Sequence, residues 1–169
     1  MFVVILQTFG VDGLIRHRVA STLFKGDKMN ILVCYDGSQI AKKALEEGIK
    51  VGNALGAEVH IFYSIAPRKD SNEVFEFIKD KAVMETDLAK KEVEKACQLV
   101  EKTGLVCKTH VLLEEKSPGE DIIDFAKRIN AKYIVIGVRT QSRVGKLLFG
   151  STAQYVILNS PCPVMTVRS

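Results

Sequence analysis

The chain has 169 residues, of which 47% are hydrophobic, and this is ample for one large core but short for two independent domains. Its 24 basic and 20 acidic residues leave a formal net charge of only +4, which favours neither nucleic-acid binding nor membrane binding. Because no stretch approaches the roughly 18 to 20 consecutive apolar residues that span a bilayer, we expect a soluble protein.

The first 28 residues show no clean helix or strand periodicity after the first six, whereas a strong strand pattern begins abruptly at Asn30. We therefore predict a folded domain over 29–169. Residues 1–28 are interpreted as an N-terminal extension that is either disordered or the product of a misassigned start codon. The alternative is an additional edge strand over Phe2–Leu6.

The domain begins with a predicted strand over Ile31–Tyr35, followed by the helical spacing of DGSQIAKKALEEGIKVGNAL, with Ser38 as its N-cap. A second strand is predicted over Glu58–Ile65, and the polar segment Pro67–Asn72 indicates a loop. The stretch 73–102 carries apolar residues among many Lys and Glu, which predicts one or two amphipathic helices.

Five further elements follow. Ser117, Pro118 and Glu120 form the sequence pattern of a capping box at the start of a helix. The predicted elements are a strand over Val106–Leu113, a helix over Pro118–Ile129, a strand over Lys132–Ile136, a short helix in GSTAQYVILN and a last strand over Val164–Val167.

Strands that alternate with helices are parallel and joined by right-handed crossovers, and the helices then cover both faces of the sheet. The sequence therefore predicts an α/β fold with a doubly wound, five-stranded parallel sheet of Rossmann-like strand order 3-2-1-4-5. Ligands of such sheets bind where the strand order reverses, beyond the carboxyl ends of strands one and four.

Two polar segments follow those strands: Asp36-Gly37-Ser38 comes after strand one, and Gly137–Thr152 comes after strand four. Gly150 and Ser151 stand at the start of a predicted helix, where free N–H groups and the helix dipole favour an anion such as phosphate. Gly137 is expected to let a ligand approach strand four closely, and Arg139 is one of several nearby cations. Each feature also has an ordinary interpretation, because Gly-Ser is a frequent cap, Asp36 a frequent turn residue and loop cations are usually solvated.

The four cysteines, Cys34, Cys97, Cys107 and Cys162, form no CxxC pair and have no zinc-ligand spacing. We expect them to be reduced thiols of a cytosolic protein. Two of the three histidines fall in alternating apolar runs, so they are interpreted as ordinary strand residues and not as catalytic groups.

The segments ILVCYDGS, AEVHIFYS and GVRTQSRVGKLLFGS, the last followed by PCPV, resemble the universal stress protein family over about Met29–Val167. The resemblance implies a stress-response regulator or switch that binds ATP or a related adenine nucleotide, with or without Mg²⁺, in the pattern G-x2-G-x9-G-S/T, and it implies a homodimer formed through the C-terminal strand. The residues it places at the nucleotide are Cys34, Asp36, Ser64, Ile136, Gly137, Arg139, Thr140, Gly150, Ser151 and Thr152.

One position departs from that pattern, because Thr140 replaces the second glycine and its branched side chain resists positive φ. This leaves a second hypothesis open, a nucleotide-free homodimeric interaction module of a stress response. An enzyme is disfavoured, because YDGSQIA lacks the tandem glycines of a pyrophosphatase loop and no nucleophile with an adjacent base is visible, although slow ATP hydrolysis stays open. A phospho-acceptor receiver domain is set aside, because Asp36 has no acidic neighbour.

Overall fold

The computed structural model describes residues 29–65, 75–113, 116–139 and 149–168, with the backbone alone for 75–82. Within these residues the elements alternate strictly between strand and helix. The strands are β1 (Asn30–Cys34), β2 (Glu58–Ile65), β3 (Cys107–Leu113), β4 (Ala131–Val138) and β5 (Val164–Arg168); the helices are α1 (Gln39–Leu55), α2 (Phe75–Glu101), α3 (Pro118–Arg128) and α4 (Ser151–Asn159). Residues 1–28, including the alternative strand Phe2–Leu6, lie outside the described residues.

All strand pairs are parallel, and the sheet has the order β3-β2-β1-β4-β5. This confirms the predicted fold class and strand order. β1 lies at the centre, with Ile31 opposite Val59 of β2 on one side and Tyr133 of β4 on the other. The strand order therefore reverses between β1 and β4, as expected for a doubly wound sheet.

Helices cover both faces because successive residues of β1 point to opposite sides of the sheet. Ile31 and Val33 pack in a cluster with α1 and α2, which contribute residues such as Ala44 and Val93. Leu32 packs in a second cluster, formed with α3 and α4. The central strand is thus buried on both faces, which explains its continuous apolar sequence.

Strand β4 is longer than the predicted Lys132–Ile136, because its pairing with β5 continues to the end of that strand. Gly137 lies opposite Val167, and Val138 lies opposite Arg168. β1 is displaced by one residue from its prediction, and the stretch predicted as one or two helices is the single helix α2. None of the described helices is long and apolar enough to cross a membrane.

The expectation of four reduced cysteines is wrong for one pair, because Cys97 and Cys107 form a disulfide. Cys97 lies in the last turns of α2 and Cys107 begins β3, and the tight turn between them brings their Cα atoms to 5.6 Å. Sequence spacing alone carries no signal for this contact. Cys34 and Cys162 are free thiols.

Two histidines occupy strand positions, as predicted. The Nδ1 atom of His60 on β2 lies 3.1 Å from the Nε2 atom of His110 on β3, and both rings lie near Phe125 of α3. Burial is the main cause that lowers both pKa values, and it lowers the pKa of His110 to about 4. The pair is therefore neutral at pH 7 and belongs to the packing between the sheet and α3.

Candidate functional site

A cavity of about 350 Å³ lies beyond the carboxyl ends of β1 and β4, at the point where the strand order reverses. Its volume is within the range of roughly 300 to 1,000 Å³ that is usual for small-molecule sites. Nine of the ten predicted site residues line it: Cys34, Asp36, Ser64, Ile136, Gly137, Arg139, Gly150, Ser151 and Thr152. The tenth, Thr140, lies outside the described residues.

The β1 side of the cavity is a turn that leads into α1. The Asp36 carboxylate accepts a hydrogen bond from the Ser38 N–H at 2.9 Å through Oδ1, and Gly37 between them has φ of +75°. Ser38 then caps α1, its hydroxyl accepting from the Ala41 N–H at 3.2 Å. The turn therefore fixes Asp36 at the cavity rim, and the Oδ2 atom of its carboxylate takes no part in this hydrogen bond.

The β4 side of the cavity is the start of α4. Gly150 is the N-cap residue, and because glycine has no side chain, this residue cannot cap the helix with a side-chain hydrogen bond. The first intrahelical bond runs from the Gln154 N–H to the Gly150 carbonyl at 2.9 Å, so the N–H groups of Ser151, Thr152 and Ala153 have no carbonyl partner within α4. These three residues line the cavity, and the positive end of the helix dipole is located there.

Gly137 lines the cavity, but the structure shows a second reason why this position requires glycine. A Cβ atom at this position would collide with the Cγ2 atom of Ile40 and would lie 3.2 Å from the Ile40 carbonyl carbon. Gly137 is therefore required for the close packing of β4 against the first turn of α1. The sequence-based explanation, close approach of a ligand, is at most part of its role.

The inner walls of the cavity are largely apolar. Burial and the nearby Asp36 carboxylate raise the pKa of the Cys34 thiol to about 12, so Cys34 is a neutral wall residue. Phe62, Pro118 and Ile122 also line the cavity, and sequence reasoning did not identify them. Pro118 begins α3, so a helix start at the carboxyl edge of the sheet was the available signal for it.

Arg139 lies at the mouth of the cavity. Its Nη2 atom is 3.9 Å from Oδ2 of Asp36, and its side chain is 72% exposed, so this ion pair contributes little to stability. Breaking so weak and exposed an ion pair costs little. Among the described residues, no group of three or more His, Cys, Asp or Glu side chains is arranged to hold a metal ion.

The doubly wound sheet and its cavity at the switch point define a Rossmann-like α/β protein with a site of small-molecule size. The family model of the universal stress proteins matches residues 29–168, so the chain belongs to the universal stress protein family.

Comparisons with three individual proteins of this family show the extent of the similarity. A universal stress protein of Thermus aquaticus is 33% identical over 138 residues, covering 82% of this chain and 97% of the relative. A universal stress protein structure from Archaeoglobus fulgidus has a TM-score of 0.68 at 32% identity, covering 83% and 99% of the two chains. Another from that organism, in complex with dAMP, has a TM-score of 0.59 at 28% identity, covering 82% and 97%.

Proposed function

We propose that this protein binds ATP or a related adenine nucleotide in the cavity and acts as a regulator or switch in a stress response. The observation that carries the proposal is the start of α4, where N–H groups that have no carbonyl partner within the helix line a cavity of nucleotide size. Support also comes from the relative of known structure that contains dAMP.

The phosphates are assigned to the α4 end of the cavity. The N–H groups of Ser151 and Thr152 are donors at the positive end of a helix dipole, and Arg139 can add its charge from the rim. A Cβ atom at Gly150 would meet no described atom within 4 Å, so none of the described residues fills the space beside this backbone. Phosphate oxygens, which are acceptors only, match this set of donors.

The nucleoside is assigned to the rest of the cavity. Asp36 offers a carboxylate oxygen, which suits the hydroxyl donors of a ribose and not a phosphate. The base then lies among Cys34, Phe62 and Ile136, whose apolar surfaces suit the faces of an aromatic ring. Any Mg²⁺ would arrive with the triphosphate and be held mainly by phosphate oxygens and water.

The test is calorimetric titration of the full-length protein with ATP-Mg²⁺, after denaturing a separate sample to identify co-purified nucleotides. A Gly150→Val variant adds a branched side chain at the start of α4, where no described atom lies within 4 Å of a Cβ atom, and is expected to weaken binding at least about tenfold, because one well-placed charge-assisted hydrogen bond is worth about 1.5–3 kcal/mol. Gln154→Val is the matched control, since this exposed residue of α4 is not part of the cavity wall. Equal binding by all three proteins would contradict the phosphate assignment.

The second candidate function is a nucleotide-free homodimeric interaction module, which Thr140 favours because it replaces a glycine of the family pattern. No binding by the wild type, together with binding by a Thr140→Gly variant, would support this candidate. Binding by the wild type would refute it.

In either case we propose a homodimer formed through β5, which is an edge strand paired only with β4 within the described sheet. The Ile134 N–H donates to the Pro163 carbonyl, so the alternation of a parallel ladder directs the Thr166 N–H to the free edge. Thr166→Pro should therefore weaken the dimer in light-scattering measurements, whereas the control Thr166→Val keeps the N–H and should not. A monomeric wild type would overturn the proposal.

A further inference from the structure

A close contact joins helices α3 and α4 beside the candidate site. A Cβ atom at Gly119, the second residue of α3, would lie 2.8 Å from Cδ1, 2.9 Å from Cβ and 3.0 Å from Cγ of Tyr155 in α4. Because the Cβ atom of Tyr155 is fixed to the α4 backbone, a change of rotamer cannot relieve this overlap. A side chain at position 119 therefore fits only if one helix moves away from the other.

The contact, and not the backbone conformation, explains the glycine at position 119. Among the described glycines, Gly37, Gly56 and Gly104 have positive φ and Gly119 does not, so another residue could adopt its backbone conformation. Glycine is also a poor helix former. Gly119 is buried, and its value at this position lies in the close packing of α3 against Tyr155.

The same contact connects two walls of the cavity. Pro118, the neighbour of Gly119, lines the cavity from α3, and Ser151 and Thr152 line it from α4. Ser151 and Thr152 stand on the same side of α4 as Tyr155 and about one turn before it, or about 5.4 Å along the helix axis. A displacement of α4 at Tyr155 therefore also displaces the N–H groups to which we assign the phosphates.

Of the two helices, α4 is the less firmly held. Helix α3 begins with a full capping box and buries large side chains, including Ile122, Ile123 and Phe125. Helix α4 has nine residues, no side-chain cap at its start, and buries only Ala153 and Val156. An added side chain at the contact should therefore displace α4 and leave α3 in place.

We propose that Gly119 and Tyr155 are positioning residues of the nucleotide site, whose contact sets the place of the first turn of α4 and so the strength of phosphate binding. The inference rests on the proposed function and adds to it the residues that hold the phosphate-binding turn. Neither residue lines the cavity, so both act through α4.

The test measures how much a phosphate group adds to binding, as the ratio of the dissociation constants of adenosine and AMP. Both ligands are titrated by calorimetry into the full-length wild type and the Gly119→Ala variant. The wild-type ratio should be about ten or more, since a phosphate at α4 adds at least one charge-assisted hydrogen bond. In Gly119→Ala the ratio should fall at least about fivefold, while adenosine affinity stays within about threefold of wild type, because the displaced turn contacts the phosphate and not the nucleoside.

Gly52→Ala is the matched control. A Cβ atom at this position of α1 would lie 2.8 Å from Cδ1 of Leu105, so the variant adds the same methyl group to another tightly packed helix glycine. Gly52 lies about three helical turns beyond Ala41, the last residue of α1 that lines the cavity. Its ratio should equal that of wild type, whatever its effect on thermal stability. An equal fall of the ratio in Gly52→Ala and Gly119→Ala would overturn the inference.

Two variants of Tyr155 test the contact from the other helix and do not depend on the folding of Gly119→Ala. Tyr155→Ala removes the Cγ and Cδ1 atoms, whereas Tyr155→Phe keeps all three contact atoms. The ratio should be at least about threefold lower in Tyr155→Ala than in Tyr155→Phe. In the Gly119→Ala/Tyr155→Ala double variant the methyl group meets one atom in place of three, so the ratio should recover above that of Gly119→Ala.

The outcomes separate the inference from the proposed function. If the wild type binds AMP more tightly than adenosine and the ratio is unchanged in Gly119→Ala and Tyr155→Ala, the inference is wrong and the proposed function stands. If the wild type binds neither ligand, the proposed function is wrong and the inference falls with it.

Discussion

Helices α3 and α4 both begin at the carboxyl edge of the sheet beside the cavity, but their first turns are completed in different ways. At α3 the Ser117 hydroxyl accepts from the Glu120 N–H, and the Glu120 carboxylate accepts from the Ser117 N–H at 3.2 Å, which is a full capping box. At α4 the N-cap residue is Gly150, and its first turn contains no acidic residue.

The difference separates stability from binding. A capping box satisfies helix N–H groups with the chain's own side chains and places negative charge at the positive end of the dipole, so an anion has no place there. At the start of α4 the first N–H groups have no carbonyl partner within the helix and no side-chain cap from Gly150, and they lie beside the cavity to which we assign the phosphates. The two helices should therefore respond in opposite ways when their caps are changed.

The largest expected effect comes from giving α4 an acidic cap of its own. In Gly150→Asp the new carboxylate can accept from the N–H groups of the first turn and repels phosphate, so ATP affinity should fall by about 100-fold. The ligand-free protein should become more stable, by about 0.5 kcal/mol, because Asp is a better N-cap than Gly and favours the dipole. Calorimetric titration and thermal unfolding of the same samples measure the two effects.

Gly150→Ser is the control for this prediction. It supplies a neutral cap that competes for the same N–H groups without the charge, so its loss of affinity should be smaller than that of the Asp variant. An Asp variant that is stabilised and binds ATP normally would place the phosphates elsewhere.

Much of this comparison could be read from the sequence, because both helix starts carry local signals. Ser117, Pro118 and Glu120 predicted the capping box, and Gly150-Ser151 predicted a helix start whose free N–H groups favour an anion, with an ordinary cap as the alternative. The fold followed in the same way, since the alternation of strand and helix patterns restricts the topology to few choices. The end of β4 was missed because its last pairs depend on the register with β5, which is a non-local property.

The remaining features of the site depend on contacts between distant segments. Phe62 and Ile122 were not predicted because their apolar character indicates only core, and nothing local shows that one end of the core opens into a cavity. Gly137 was predicted for the ligand, whereas its contact with Ile40 appears only once α1 is packed on β4.

An intermediate effect is expected from removing the cap of α3. Ser117→Ala deletes the hydroxyl that accepts from the Glu120 N–H, and loss of an N-cap costs about 1 kcal/mol. The free energy of unfolding, measured with urea, should fall by this amount, whereas ATP affinity should stay within about twofold of wild type because Ser117 is not part of the cavity wall. A large loss of affinity with unchanged stability would show that the two helix starts do not have separate roles.

The smallest expected effect is a pH dependence that belongs to α3 alone. Hydrogen bonds from the Ser117 hydroxyl and N–H lower the pKa of Glu120 below its ordinary value of 4.5. The unfolded chain therefore takes up this proton more readily than the folded one, so the contribution of Glu120 to stability is present above pH 4.5 and is lost as the pH falls through the lower, folded pKa.

Glu120→Gln keeps the shape of the cap without the charge, and it isolates this contribution. Wild type should exceed the variant in free energy of unfolding at pH 7, and the difference should shrink as the pH falls below about 4.5. In a Ser117→Ala background the same comparison should depend less on pH, because the hydroxyl that lowers the pKa is gone. A difference that is constant or grows on acidification would mean that the charge of Glu120 does not support the cap, and that the contrast with α4 rests on hydrogen bonds alone.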